Sequence, residues 1–353
     1  MSEQPSVPSA EPTTPATPAT ESTAIVAPSS RSWLSRVLSS SAGRNLGLVI
    51  ALLVLFAVGA ITAGERFTNF ENILTIVRFA SIIGVLSIGM TLVIIGGGID
   101  LSVGSVMGLG SVIATLSVVQ AFAEQTSWLV MVVVAILVGT LAGIVNGIVI
   151  AYGNVVAFMA TLSMLVAARG LAEIFSNRST QIVRSQEYIE FFRADIIGVP
   201  ILIWIFVVVA VLGWVLLNRT TFGRRTVAIG GNREAARLAG IKVKRHTVYL
   251  YALSGMTAGI AAVMMMGRTT AGTSTHGTLY ELDVIAAVVV GGTLLVGGRG
   301  TIVGTVFGVL IFATLTNVFT QNNLNTSVQD VTKGVIIVLA VLLQQRFAAR
   351  NKR

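Results

Sequence analysis

The sequence predicts an all-α, polytopic membrane protein with about ten transmembrane helices and one separate cytosolic helix. Three observations predict it. The 353 residues are 54% hydrophobic and 11% charged, whereas a soluble domain is about 25% charged. The apolar residues fall in continuous runs of roughly 17–25, the length a helix needs to cross a bilayer; a β-barrel would show alternating segments of about 10. The 36 glycines suit the close packing of membrane helices. Cysteine is absent and there are two histidines, His246 and His276, so neither a disulfide, a thiolate site nor a histidine metal cluster is expected.

Taken in order, residues 1–30 are rich in Ser, Thr, Pro, Ala and Glu, with no Lys or Arg before Arg31. Such a segment buries no core and is expected to be a disordered cytosolic tail. It lacks the basic start and apolar centre of a signal peptide. Residues 31–353 form the transmembrane domain. Spans are expected near 45–64, 73–96, 103–122, 128–151, 155–175, 198–217, 247–267, 283–296, 302–320 and 329–345. The eighth is short, which suits a tilted or broken span.

Charge orients the spans. Net charge is +9, but the basic residues sit between spans, which the positive-inside rule explains better than nucleic-acid binding. The tail, the loop 219–246, Arg299 and the C-terminal Arg346, Arg350, Lys352 and Arg353 share one face, expected to be cytoplasmic. Opposite them, Arg66, Arg178, Arg184, Arg193 and Arg268 are diluted by Glu65, Glu71, Glu187, Glu190 and Asp195. Both termini are therefore expected in the cytoplasm, and the protein in the inner membrane.

The loop 219–246 interrupts the apolar chain with Arg219, Arg224, Arg225, Arg233, Arg237, Lys242, Lys244 and Arg245 against one acid, Glu234. Within it, Asn232 suits a helix N-cap and Glu234 complements the helix dipole. Ala235, Ala236, Arg237 and Leu238 favour helix, and Gly240 ends it. A solvated loop that only sets topology is the plainer reading. A capped, Ala-rich helix with flanking arginines suits docking to a partner.

Two glycine-rich strings echo each other. Gly97–Gly108 (GGIDLSVGSVMG) and Gly297–Gly308 (GGRGTIVGTVFG) match at Gly97/Gly297, Gly98/Gly298, Val103/Val303, Gly104/Gly304, Val106/Val306 and Gly108/Gly308. Each sits at a break between spans. A shared repeat origin and a convergence of two membrane turns both account for them.

The segment Glu234-Ala235-Ala236, three residues and Gly240 resembles the EAA motif of ABC importer permeases. AIGGNREAARLAGI resembles its form in the ribose-type sugar permeases. Gly96–Leu109, Ala160–Ala172 and Glu281–Ile311 are similar to that family as well, in matching order, so the resemblance covers about residues 45–345. Leu295-Val296 departs from it, standing where a Ser/Thr-Met-like pair is expected. The resemblance implies that Arg224, Arg225, Asn232, Glu234, Ala235, Ala236 and Gly240 form a coupling element seated in a cleft of an ATP-binding subunit. It implies a second permease copy, as a homodimer, and an extracytoplasmic sugar-binding protein. The chain has no GxxxxGK[ST] phosphate loop, so ATP and Mg are expected on the partner and no cofactor on this chain.

Candidates for the translocation pathway are Asp100, Ser102, Asn146, Phe158, Thr161 and Asn317. A carboxylate within a membrane is costly and a functional candidate by default; equally, Asp100 is placed to cap the next helix through the amides of Ser102 and Val103. Hydroxyls and amides suit sugar hydroxyls, yet they also join membrane helices. Phe158, Met164 and Met264–Met266 suit an apolar gate or the core. Arg169–Glu173 and Asp330–Lys333 are spaced to pair within their helices.

The expected function is therefore the membrane subunit of an ATP-driven monosaccharide importer, ribose-like in type, with no catalysis in this chain. The alternatives are a permease for another small solute, such as branched-chain amino acids, and an ion-coupled secondary transporter. No constellation for a membrane-embedded enzyme is visible.

Overall fold

The computed structural model describes residues 41–350, excepting the side chains of 41–45, 337, 340–341 and 343–350. The expected tail 1–30 lies outside the described residues. The helices are α1 (Ser41–Ala63), α2 (Glu65–Thr68), α3 (Phe70–Ile95), α4 (Val103–Ala114), α5 (Ser117–Gln125), α6 (Leu129–Ala151), α7 (Ala157–Ser176), α8 (Gln186–Arg193), α9 (Ile201–Arg219), α10 (Thr221–Gly231), α11 (Arg233–Leu238), α12 (Val243–Thr269), α13 (Tyr280–Val290), α14 (Ile302–Gln321) and α15 (Thr326–Arg350). Four two-residue strands, β1 (Gln181–Ile182), β2 (Asp195–Ile196), β3 (Val199–Pro200) and β4 (Ala271–Gly272), make the pairs β1–β4 and β2–β3.

The all-α membrane class holds, but ten plain spans do not. Among the described residues seven helices are long and apolar enough to cross a bilayer: α1, α3, α6, α7, α9, α12 and α14. The expected third span is two helices, α4 and α5, bent by 57° at a short break. There the Thr115 hydroxyl turns back to the carbonyls of Ser111 (2.8 Å) and Val112 (3.1 Å). The expected eighth span is half a span: α13 has 11 residues, about 16 Å of helix against a hydrocarbon core of about 30 Å. Gly291 caps α13 and Gly292, at φ +88°, turns the chain away. The expected tenth span falls within α15.

The break before α13 is compensated by burial. Residues 270–279 are not helical, and they lie along α4. Gly272 rests against Ser111 and Thr115, the His276 carbonyl against Gly108, and Gly277 against Gly104. Such backbone is tolerated at membrane depth only inside protein, and every residue of α4 but Ile113 is buried. Arg169 of α7 supplies donors, bonding the carbonyls of Ser274 and His276 (the latter at 2.9 Å).

The core is built around α12 and α3, each two-thirds buried over its most apolar window. The α6–α12 crossing is backbone on backbone. Gly139 and Gly143 of α6 meet Gly255 and Gly259 of α12 so closely that a side chain at any of them would strike the opposite main chain. This is the small-xxx-small packing of membrane helices. At the opposite end from the basic loop, Trp128, Tyr188, Phe191 and Phe192 cluster over the bundle, and the Tyr188 hydroxyl donates to the Val263 carbonyl at 2.6 Å.

Candidate functional site

The basic loop folds into two helices. Asn232 stands in extended conformation (φ −157°), and its side chain accepts the Ala235 N–H at 2.9 Å, starting α11. At the other end Gly240 takes φ +81°, a conformation only glycine adopts without strain. Its N–H donates to the Arg237 carbonyl (3.0 Å), and the Ile241 N–H donates to the Ala236 carbonyl (3.1 Å). These two bonds make a Schellman stop. Its apolar contact is present too: Ala236 and Ile241 pack with Ile229 and Val243.

That cluster fixes which face looks outward. Ala235, Ala239 and Gly240 are exposed, and Leu238 is 76% exposed. Glu234 pairs with Arg237 through Nε at 3.1 and 3.2 Å. The Arg237 hydrogen bonds hold the Glu234 carboxyl below its ordinary range, so it stays ionised. Both side chains are mostly exposed, and a solvent-screened pair of this kind adds little stability.

Sequence reading missed α10, whose three glycines, Gly223, Gly230 and Gly231, conceal an 11-residue helix. Thr220 starts it, its hydroxyl accepting the Gly223 N–H at 3.3 Å. Arg224 and Arg225 are exposed on α10. Arg225 joins Lys242, Arg245 and Tyr249 around a groove of about 770 Å³.

The far end of α10 makes the central contact. A Cβ on Gly230 would strike the Ile95 carbonyl oxygen and lie 2.6 Å from the Gly298 nitrogen. The Gly298 N–H donates to that same Ile95 carbonyl at 2.8 Å. A Cβ on Gly297 would come within 3.0 Å of the Gly97 Cα and 2.9 Å of the Gly230 carbonyl. Both echoed turns therefore touch each other and the end of α10, main chain to main chain. Gly97 and Gly297 share a left-handed conformation, φ +80° and +87°. The strings that the sequence pairs by pattern are paired in space.

Asp100 lies just beyond the first turn and is 1% exposed. Its Oδ1 accepts the Ser102 amide (3.0 Å) and hydroxyl (2.6 Å), and its Oδ2 accepts the Ser254 hydroxyl (2.8 Å). Asn146 donates to the Ser102 hydroxyl at 3.0 Å, and Tyr251 donates to the Ile99 carbonyl at 3.0 Å. The structure thus brings Asp100, Ser102 and Asn146 together and adds Ser254 of α12, which no sequence pattern marked. All are buried. Thr161 of α7 is buried too, its hydroxyl on the Ala157 carbonyl at 2.9 Å and 3.5 Å from the Ile99 carbonyl beside Asp100.

The remaining candidates lie elsewhere. Asn317 exchanges hydrogen bonds with Asn72 (2.8 and 3.0 Å), tying α14 to α3 far from Asp100. Phe158 is 47% exposed on α7, and Met264–Met266 are buried in the core. Two expected ion pairs are replaced. Glu173 pairs with Arg178 at 3.2 Å, because Arg169 is drawn to the carbonyls of residues 274 and 276. Lys333 reaches Asp283 of α13 at 3.2 Å, both side chains 16% exposed, in place of Asp330. Removing one partner strands a charge in a mostly buried site, at a cost of up to about 3–5 kcal/mol. Lys333→Met is therefore expected to lower the melting temperature in detergent, and the double variant with Asp283→Asn to restore most of it.

A family model described as branched-chain amino acid transport system / permease component matches residues 72–341. The chain is 39% identical over 303 residues to the ribose import permease protein RbsC of Escherichia coli (strain K12), covering 84% of this chain and 92% of the relative. It is 38% identical over 312 residues to RbsC of Bacillus subtilis (strain 168), covering 87% and 94%. It is 37% identical over 315 residues to the L-arabinose transport system permease protein AraH of Escherichia coli (strain K12), covering 87% and 92%. No solved structure matches the chain. With spanning helices, a capped helix between α9 and α12 and a family match over residues 72–341, the chain belongs to the ABC importer permeases described as branched-chain amino acid transport system / permease component.

Proposed function

We propose that this permease carries a monosaccharide, ribose-like in type, inward across the cytoplasmic membrane, driven by ATP hydrolysis on a separate ATP-binding cassette subunit. The observation that carries the coupling is the contact of Gly230 with both glycine turns. The helix that offers a small apolar face to a partner, α11, follows directly on the helix that abuts both breaks in the bundle. A displacement imposed on α11 reaches α3–α4 and α13–α14 without passing through a flexible side chain. ATP and Mg belong to the partner, which would seat Asn232 to Gly240 in a cleft with Arg224 and Arg225 beside it. Two copies of this chain form the pathway, and an extracytoplasmic binding protein delivers the sugar. The basic face, with both termini, is cytoplasmic.

Glu234→Lys is the direct test. Glu234 is exposed, so the fold should change by no more than about 0.5 kcal/mol. In proteoliposomes holding the assembled transporter, ATP-driven uptake is expected to be lost while the variant inserts normally. Normal uptake would overturn docking at α11. Uptake by this chain alone under an ion gradient, with no ATPase, would overturn ATP coupling altogether.

The family description favours a second reading of the substrate, branched-chain amino acids, whereas the relatives named for ribose and L-arabinose support a sugar. Parallel uptake of labelled ribose and labelled leucine by the assembled transporter separates the two; leucine uptake without ribose uptake would favour the amino-acid reading.

A further inference from the structure

The hairpin β2–β3 ends in a two-residue turn, Ile197-Gly198. The register pairs Ile196 with Val199, and both turn residues have positive φ, +58° and +70°. Such turns favour Asn-Gly or Gly-Gly, because a β-branched side chain is strained there. Here the strained position holds an isoleucine that is 90% exposed, next to Ile196 at 45%. Nothing in the packing of the bundle calls for it.

Its surroundings say what it meets. β3 ends at Pro200 and α9 begins at Ile201, so the hairpin sits on the end of a spanning helix remote from Arg219. Along α9, Trp204, Val208, Val211 and Val215 are exposed at intervals of four, three and four residues. That spacing makes one continuous helical face. The Trp204 indole N–H donates to the Ile196 carbonyl at 3.4 Å. The hairpin is therefore tied to the top of this apolar stripe and not to the polar cluster around Asp100. Tryptophan marks the membrane–water boundary. Arg193, exposed two residues before β2, is placed to reach headgroup phosphates.

The geometry points to the Ile196-Ile197 tip as a lipid anchor: it dips into the leaflet opposite the basic loop and fixes the depth and tilt of α9. The occupant is the bilayer surface, because the tip continues a stripe that already faces outward from the bundle. Apolar groups at such sites enter about 5–10 Å into the boundary between headgroups and chains.

The chain has no cysteine, so Ile197→Cys carries a single environment-sensitive fluorophore. The labelled full-length protein is placed in nanodiscs of phosphatidylcholine and phosphatidylglycerol. A blue-shifted emission is expected, shielded from aqueous iodide and quenched when shallow doxyl-labelled phosphatidylcholine is included. Water-like emission that iodide quenches would overturn the proposal. So would a blue shift insensitive to doxyl lipid, which reports burial against a second copy, or one that arises only on adding the sugar-binding protein. Ile197→Asn, which suits the turn, gives an independent reading. Thermal stability in detergent should be unchanged or higher, while hydrogen exchange of residues 194–200 in nanodiscs should be faster than in the parent. Unchanged or slower exchange would overturn the anchor.

Discussion

Gly230→Ala is expected to abolish most ATP-driven uptake, whereas Gly231→Ala, one residue on, leaves it near the parent level. The pair is a matched test because the two glycines differ in one respect. A Cβ at Gly231 meets nothing within 4 Å, while one at Gly230 strikes the Ile95 carbonyl oxygen. Overpacking of this kind costs about 1–3 kcal/mol. Here the obstructing atoms are main chain, so no rotamer change relieves them. The end of α10 must lift away from Ile95 and Gly298, opening its contact with both glycine turns. At about 1.4 kcal/mol per factor of ten, uptake falls roughly 5–150-fold if the lost fit is spent on coupling. The measurement is sugar uptake into proteoliposomes with the ATPase and binding protein present, alongside ATP hydrolysis. Hydrolysis that persists without uptake is the expected signature. Equal uptake by the two variants would show that the junction does not transmit motion.

The second large effect is at Asp100. Asp100→Ala removes the acceptor for three donors, the Ser102 amide, the Ser102 hydroxyl and the Ser254 hydroxyl. Each donor left unsatisfied in a buried site costs about 1–3 kcal/mol. The start of α4 and the middle of α12 lose their common tie together. The melting temperature in detergent is expected to fall by about 6 °C or more, taking the lower bounds of about 1 kcal/mol per donor and about 2 °C per kcal/mol. Asp100→Asn keeps one carbonyl oxygen as acceptor and should lose about half as much. A melting temperature unchanged in Asp100→Ala would show that this cluster does not hold α4 to α12.

The sequence made some parts of this molecule readable and hid others, for identifiable reasons. Asn232 and Gly240 were legible because helix stops depend on local chemistry: an Asn side chain that caps, a glycine that turns left-handed. The long spans were legible because apolar length is set by bilayer thickness. The short eighth span was legible too, from its length alone, but the bend at Thr115 was not, since composition stays apolar across it. The cause of both breaks is tertiary: buried protein surface takes the place of helical hydrogen bonds. Pairing failed similarly at Arg169 and Lys333. Helical spacing offered each a near partner, and packing offered a better one on another segment. The echo of Gly97–Gly108 in Gly297–Gly308 showed two similar turns, but only the fold shows that they touch, with Gly230 as the third member.

The α6–α12 crossing has a bearing on where this molecule can deform. Because Gly139, Gly143, Gly255 and Gly259 bring main chain against main chain, that pair has almost no internal degrees of freedom. Sliding or rolling one helix on the other would lift both backbones over ridges with no side chain to give way. The two helices behave as a rigid body, a chassis against which other parts move. Shape change is thus expected outside this pair: at the glycine turns that join α3 to α4 and α13 to α14, and in α7, which leans chiefly on α4 and α6.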